Sequence, residues 1–388
     1  MTLTSYEAKD LFQWLIDKED IMVLDVRNEN DFERFQVESP YPFDMQNVSY
    51  YDFMEIEDEC VAKVPQGRAI RIVCAKEGSA KYVGEILVKH GFADVRYLTG
   101  GIKTWGNLLV PRVVRKGEDY NLYQFIRPGK ASCSYGLSSG DEMMIFDPSR
   151  NVDFYIDFAK SKNCKIIKTF ETHLQADYIS GSREISQRTG AVFIGGIDFE
   201  GTKAGHTLAV DNEIHRFSQG GPDVKILFTP GHTPGSLTFI VDNSYMLSGD
   251  TVFIQSIGRP DLGGQVDQWA VLLFKTIQNV AKLDNSLLVL PGHYMDWSEA
   301  DEELIFCLTF RQVKDRNKEV FSMTEEKDFI KYIKDNMRTQ PSEYALIRLA
   351  NGNMEEYDID KQEELDLGKN ECAATAYAKA QAEKEAKN

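Results

Sequence analysis

Four apolar runs in the second half of this chain each stop at a loop bearing a side chain of the kind that binds metal, and that succession restricts the fold more than any bulk property does. Lys165 to Thr169 leads into Glu171-Thr172-His173-Leu174-Gln175-Ala176-Asp177-Tyr178, and Val224 to Thr229 into Pro230-Gly231-His232-Thr233-Pro234-Gly235-Ser236. Two more follow, Ser248-Gly249-Asp250-Thr251 and Pro291-Gly292-His293-Tyr294, the latter after the run Leu287 to Leu290. An α/β sheet presents such side chains together at the carboxyl edge of its strands. One such histidine is an ordinary hydrogen-bonded loop residue, whereas four motifs in this order point to one shared site. Around them the spacing predicts a hairpin over 132–137 and 142–146, helices over 151–160 and 182–189, and further strands at 192–193, 208–210 and 237–241. These make a layered α/β sandwich.

The first 110 residues read differently. Apolar spacing predicts a helix over Ser5 to Asp17 with Ser5 as its cap, strands at Ile21 to Val26, Ile70 to Val73 and Val95 to Leu98, and a helix over Ser79 to His90 closed by Gly91. Such βαβ alternation builds a small parallel sheet flanked by helices. Pro111 with Arg112, Arg115 and Lys116 marks a linker near 108–118. With 388 residues and ~150 per domain, we expect domains over 1–110 and 117–318 and a C-terminal extension over 319–388. That extension should hold a helix over Glu326 to Asn336, a strand over Tyr344 to Arg348, and a charged helical tail over Ala373 to Asn388.

Charge narrows the partners. Acidic residues outnumber basic ones by 61 to 44, and the net charge of −17 repels phosphate backbones and anionic lipid, so no nucleic-acid or membrane partner is expected. The N-terminus shows no basic and apolar leader, nowhere do 18 apolar residues run together, and the six cysteines form no CxxC pair, so a cytoplasmic chain with reduced thiols is expected. His206 and His215 have no motif around them.

Cys74 ends a predicted strand, and Ala75-Lys76-Glu77-Gly78-Ser79 carries the chain into a helix, where backbone N–H groups and Lys76 would favour a thiolate or a bound sulfur oxyanion. A buried small hydrophobe at a strand end is the plainer alternative. Residues 1–110 resemble the rhodanese-like sulfurtransferases in Leu24-Asp25-Val26-Arg27, Phe32-Glu33, the strand ending at Cys74, His90-Gly91-Phe92, Val95, Leu98, Gly100-Gly101 and Trp105. The resemblance implies that Cys74 carries sulfane sulfur as a persulfide, bound by the loop 75–79. Members often have an arginine late in this loop; here Ser79 and Ala80 stand there, and Glu77 brings a negative charge.

Residues 117 to about 315 resemble the metallo-β-lactamase fold, most of all its persulfide dioxygenase branch, on the four motifs above with Asp147-Pro148-Ser149-Arg150, Ile179-Ser180-Gly181 and Gly258-Arg259-Pro260-Asp261. The resemblance implies an αββα sandwich. Two-metal members usually carry His-x-His-x-Asp-His in the first motif, where this chain has Gln175 and Tyr178 in place of two histidines. An amide oxygen is a weak ligand, and a phenol must lose a proton of pKa ~10 to bind well. A binuclear zinc site would keep His173 and His232 on one ion and Asp177 and His293 on the other, with Asp250 bridging. The single Fe(II) of persulfide dioxygenases uses, by resemblance, the positions of His173, His232 and Asp250, an open-sided set with room for a persulfide sulfur and O2. Gln175, Asp177, Tyr178 and His293 then orient ligands or touch substrate, and Arg259 either meets an anionic substrate or anchors its loop.

Both resemblances concern sulfur. Together they imply an enzyme that oxidises a low-molecular-weight thiol persulfide with O2 to sulfite at one Fe(II) per chain, while Cys74 exchanges sulfane sulfur with persulfide, sulfite or thiosulfate. Tethering the two domains raises the effective concentration for a hand-off to ~mM. The alternatives are a glyoxalase II-like zinc thioester hydrolase, and a sulfurtransferase carrying a degenerate, non-catalytic second domain. The carrier thiol is open between glutathione, coenzyme A and others. A homodimer is the commonest symmetric assembly for such a chain.

Overall fold

The computed structural model describes residues 3–375; the charged tail expected from Ala373 onward lies, past Thr375, outside the described residues. The described residues form two compact units, one of residues 3–110 with Arg127–Lys130 and Leu367–Lys369, the other of Pro111–Ile126, Ala131–Asp366 and residues 370–375.

The first unit is built on a five-stranded sheet ordered Thr4–Tyr6, Asp94–Leu98, Ala69–Val73, Ile21–Asp25, Asp44–Asn47, with every pair parallel. Parallel strands buried on both faces read as continuous apolar runs, and Ile21–Asp25 is buried at all five positions. The helix Glu77–Lys89 lays Val83, Ile86 and Leu87 against Leu24, Ile72 and Val95; each such side chain contributes ~2 kcal/mol by leaving water. Ser5 lies in the edge strand, and the helix begins at Ala8 with a capping box between Glu7 and Asp10. The two carboxylates cap reciprocally, with the Glu7 amide donating to Asp10 Oδ2 at 2.9 Å, which the lone Ser5 hydroxyl cannot match. The Leu24-Asp25-Val26-Arg27 motif is a buried ion pair: Arg27 Nη2 lies 2.6 Å from Asp25 Oδ2, and the guanidinium also donates to the Asp31 and Phe35 carbonyls.

The second unit is an αββα sandwich. One sheet runs in the order Thr207–Leu208, Val192–Gly195, Lys165–Phe170, Glu142–Phe146, Ser132–Ser139, Asn121–Arg127, Val110–Lys116; the other runs Ile214–His215, Val224–Phe228, Leu237–Val241, Tyr245–Gly249, Leu288–Pro291, Leu308–Thr309. Phe239 of the second sheet sits 5.2 Å, ring to ring, from both Phe146 and Phe170 of the first, so aromatic side chains fill the space between. The expected hairpin turns at Gly140, and its strands pair antiparallel. The stretch expected to be a linker is instead the edge strand Val110–Lys116, where Pro111 is tolerated because an edge need not donate on both sides.

Residues expected to form an extension pack into this unit. Phe329 and Ile333 of the helix Glu326–Asn336 join Leu273 and Ile277 of the helix Val266–Val280 in one apolar cluster. The strand expected at Tyr344 to Arg348 is a helix, Glu343–Asn351, whose buried Tyr344 and Ile347 recur at helical spacing. Among the described residues, no helix is long and apolar enough to cross a membrane.

Candidate functional site

Each of the four motifs leaves its strand at the same edge of the sandwich. The loop after Phe170 is tied to the second sheet by the Leu237 amide donating to the Thr172 carbonyl, at 2.6 Å, and Gly292 donates to the Gly249 carbonyl at 2.9 Å. Gly292 has no substitute there, since a Cβ would strike Asp250 Oδ1.

Asp250 Oδ2 is the focus. His232 Nε2 and His293 Nε2 each lie 3.5 Å from it and His173 Nε2 lies 3.9 Å away, all on buried side chains. His293 Nε2 is also 3.3 Å from Asp177 Oδ2. The donor atoms of His173, His232 and Asp250 fall within 4.8 Å of one another. Donors ~2.1 Å from a common ion stand roughly 3.0–3.4 Å apart, so a small closure brings the set to ligand spacing.

Ring orientation is fixed from behind. His232 Nδ1 sits 2.8 Å from the Arg259 carbonyl, His173 Nδ1 sits 3.0 Å from Thr172 Oγ1, and His293 Nδ1 sits 3.3 Å from the Ala131 carbonyl. Thr172 Oγ1 in turn donates to Asp147 Oδ2, whose other oxygen accepts the Thr172 amide at 2.7 Å. The Nε2 atoms of His173 and His232 are buried without a hydrogen-bond partner. Two buried acceptors left bare in this way fit a cation and little else.

Electrostatics agree. Burial drives the His173 imidazole well below its ordinary range and His232 down to about 4, so both rings are neutral and able to donate a lone pair. Burial lifts Asp250 to about 7, with Asp177 and Asp147 adding to the rise and His293 opposing it. Burial by itself would lower His293, but Asp250 and Asp177 raise it to about 9.

The remaining candidates have other partners. Gln175 Nε2 donates to Asp147 Oδ1 at 3.2 Å, which leaves its Oε1 buried and unpartnered. Tyr178 turns its hydroxyl to the Asp147 carbonyl. Arg259, considered as a contact for an anionic substrate, is buried and forked onto Asp261 at 2.6 and 2.7 Å, with its other N–H groups on the Glu371 and Arg338 carbonyls. It anchors its loop. Motif reading missed Asp147 as the buried carboxylate behind Thr172 and Gln175, and it missed Cys372, whose thiol lies with Asp177 and His293 within 4.8 Å.

In the first unit Cys74 is 3% exposed at the end of Ala69–Val73, and its carbonyl accepts the Ile102 amide at 2.8 Å. Gly101, at φ 76°, permits that approach, because a Cβ would fall on the Ala75 carbonyl. Burial pushes the Cys74 thiol up, while the Lys76 and Ala75 amides and the Ser79 hydroxyl pull it back. Glu77 turns away to accept the Gly100 amide at 2.8 Å and to pair with Lys81 at 2.7 Å. Lys76 is the residue preceding the helix, and Gly78 has open space around it.

Comparison with known proteins agrees with this division. Residues 8–108 match the model of the rhodanese-like domain, and residues 129–293 match that of the metallo-beta-lactamase superfamily. The chain joins a rhodanese-like domain to a metallo-β-lactamase-superfamily domain. The second domain is similar to "Probable metallo-hydrolase YqgX" of Bacillus subtilis, 29% identical over 182 residues that cover 41% of this chain and 83% of that protein. Among solved structures, a metallo-beta-lactamase from Staphylococcus aureus has a TM-score of 0.55 at 26% identity, covering 62% of this chain and 75% of its own. ETHE1 from Myxococcus xanthus has a TM-score of 0.52 at 21% identity, covering 60% and 98%, which speaks for the fold alone.

Proposed function

We propose that this is a cytoplasmic enzyme of sulfur oxidation, in which the metallo-β-lactamase-fold domain converts a low-molecular-weight thiol persulfide and O2 to thiol and sulfite, and Cys74 of the rhodanese-like domain carries sulfane sulfur to or from that chemistry. The observation that carries the reading is the pair of buried, partnerless Nε2 atoms of His173 and His232 facing Asp250 Oδ2 at 3.9 and 3.5 Å. Two imidazoles and one carboxylate form the set suited to a single ferrous ion with open positions. Ferrous iron, when bound, supplies the redox capacity that joins dioxygen to sulfur. One persulfide, one O2 and one water balance to one thiol and one sulfurous acid.

This chain's own residues hold and tune the set. Thr172 and the Arg259 carbonyl fix the two rings with Nε2 inward, and Asp147 holds Thr172 in place. Asp250 supplies negative charge that offsets part of a divalent ion's charge. Gln175 hydrogen-bonds Asp147 from the side opposite Thr172's hydroxyl bond, and so helps hold the carboxylate behind His173. Cys74, whose loop amides hydrogen-bond the sulfur, offers a thiol for persulfide exchange.

A glyoxalase II-like zinc thioester hydrolase is the second reading, and its hydrolytic part is favoured by the Bacillus subtilis relative's name, a probable metallo-hydrolase. Anaerobic loading with Fe(II), followed by O2 uptake on glutathione or coenzyme A persulfide, separates the two. The proposal expects O2 consumed and sulfite formed in equal amounts. Thioester hydrolysis by zinc-loaded protein, with no O2 uptake by iron-loaded protein, would overturn it.

A further inference from the structure

Lys168 stands where a lysine is unfavourable. It belongs to Lys165–Phe170, an interior strand of the first sheet in the second unit, and shares a face with Phe170, whose ring packs 5.2 Å from Phe239 of the other sheet. The pairing of this strand with Glu142–Phe146 shifts in register between Ile166 and Lys168, an irregularity that re-aims the side chain following it. The half-buried lysine accordingly reaches across the sandwich.

Its partner there is a base. Lys168 Nζ donates to His215 Nδ1 at 3.3 Å, from one sheet to the edge strand Ile214–His215 of the other. On the far side of the ring His215 Nε2 lies 3.5 Å from Glu213 Oε2, and Phe170 meets the imidazole edge-on at 5.2 Å between ring centres. A carboxylate facing Nε2 favours the tautomer protonated there, which leaves the Nδ1 lone pair toward the amine. Among the described residues no carboxylate comes within ion-pair distance of the Lys168 ammonium. Burial pushes the Lys168 amine down, opposed by Glu213 and Glu142, and burial together with the Lys168 charge pushes His215 down. A lysine that merely fills space sends its ammonium to water or to an acid. Here an amine meets an imidazole that is itself oriented by a carboxylate, the arrangement that activates a nucleophile.

We propose that Lys168 is a nucleophilic lysine that accepts acyl groups from small thioesters, with His215 as the base that takes its proton and Glu213 orienting the ring. The Nζ lone pair attacks the thioester carbonyl, the N–C bond forms, and the C–S bond breaks with its electron pair leaving on sulfur. The proton released by nitrogen passes to His215 Nδ1 and then to the departing thiolate. One thioester and one amine thus give one amide and one thiol, with no oxidant and no metal. Thioesters are the fitting class because a thiolate leaves more readily than an alkoxide. The inference uses none of the residues assigned to sulfur chemistry above, so the two readings stand or fall separately.

The test is incubation of the full-length chain with acetyl-coenzyme A near neutral pH, followed by proteolysis and mass spectrometry of acetyl occupancy at each lysine over time. The proposal expects Lys168 to be acetylated at least ~10-fold faster than the median lysine of the chain, and that advantage to vanish in urea. His215→Gln keeps a hydrogen-bond acceptor but removes the base, and should bring Lys168 down to the median. Glu213→Gln should slow it by a smaller factor. Circular dichroism shows whether each variant is folded, and His215→Asn replaces the glutamine variant if that one unfolds. A Lys168 rate at or below the median in the folded wild type overturns the proposal. So does an unchanged rate in the folded His215 variant. An advantage that survives urea assigns the reactivity to local sequence and overturns it as well.

Discussion

The two candidate sites of this protein are made of different material. Around Cys74 the structure works through the backbone: amides of Lys76 and Ala75 meet the sulfur, and the Gly100-Gly101 turn packs on its carbonyl. Around Asp250 it works through side chains, each oriented by a second group, as with His173, Thr172 and Asp147. A backbone cradle tolerates replacement of the side chains along it, which is why a loop with Ser79 and Glu77 still builds the junction. A side-chain cluster has no such tolerance. Losing one donor there strands the others, because buried groups without partners cost ~1–3 kcal/mol each.

The largest expected effect breaks the protein into its two halves. Asp250→Ala should abolish iron retention and lower O2 uptake by at least ~100-fold while leaving sulfur transfer within about twofold, and Cys74→Ser should do the reverse. Metal analysis, an oxygen electrode and a thiosulfate:cyanide assay read the two variants; loss of both activities in either one would erase the distinction. Next comes Thr172→Val, which removes the partner of His173 Nδ1 without touching a donor. It should weaken metal affinity by ~10-fold with the fold intact, measured by competition with a chelator.

A smaller effect appears in stability against pH. Burial raises Glu299 to about 8 from its ordinary 4.5, and its Oε1 accepts the Met295 amide at 3.0 Å. A raised carboxyl keeps in the folded state a proton that the unfolded chain has released. Its contribution is therefore complete below pH 4.5 and lost as pH rises through 8, so metal-free protein should lose stability across that window. Glu299→Gln should flatten that slope in urea unfolding, and an unchanged slope would contradict the assignment. The smallest effect belongs to the backbone cradle. Ser79→Ala removes one side-chain hydrogen bond from Cys74 and should move the pH midpoint of its alkylation upward, with the Lys76 and Ala75 amides still in place to limit the change.

Much of this was legible because strands announce themselves. Runs such as Ile21 to Val26 and Val224 to Thr229 are apolar enough to name as strands, and the motifs following them in the second unit are what the folded chain brings to one edge. Legibility failed where the deciding contact is tertiary. Tyr344 to Arg348 mixes aromatic and β-branched residues that suit a strand, and only the burial of Tyr344 with Ile347 makes it helical. Arg112, Arg115 and Lys116 look like linker because the contacts that half-bury the two arginines, such as Arg115 on Asp119 and the Tyr120 carbonyl, form only in the fold. Arg259 looked available until its fork on Asp261 was visible. Cys372 gave no signal, because its neighbours Asn370, Glu371 and Ala373 carry no period and its pairing with 256–259 is set by the fold.

The account turns on one ferrous ion held by His173, His232 and Asp250 with positions left open. Electron paramagnetic resonance of the anaerobic Fe(II) protein exposed to nitric oxide tests that most directly. We predict one half-integer-spin iron–nitrosyl signal per chain, present in the wild type and lost in Asp250→Ala. A wild-type protein that retains zinc in preference to iron, or binds iron without giving that signal, would contradict it.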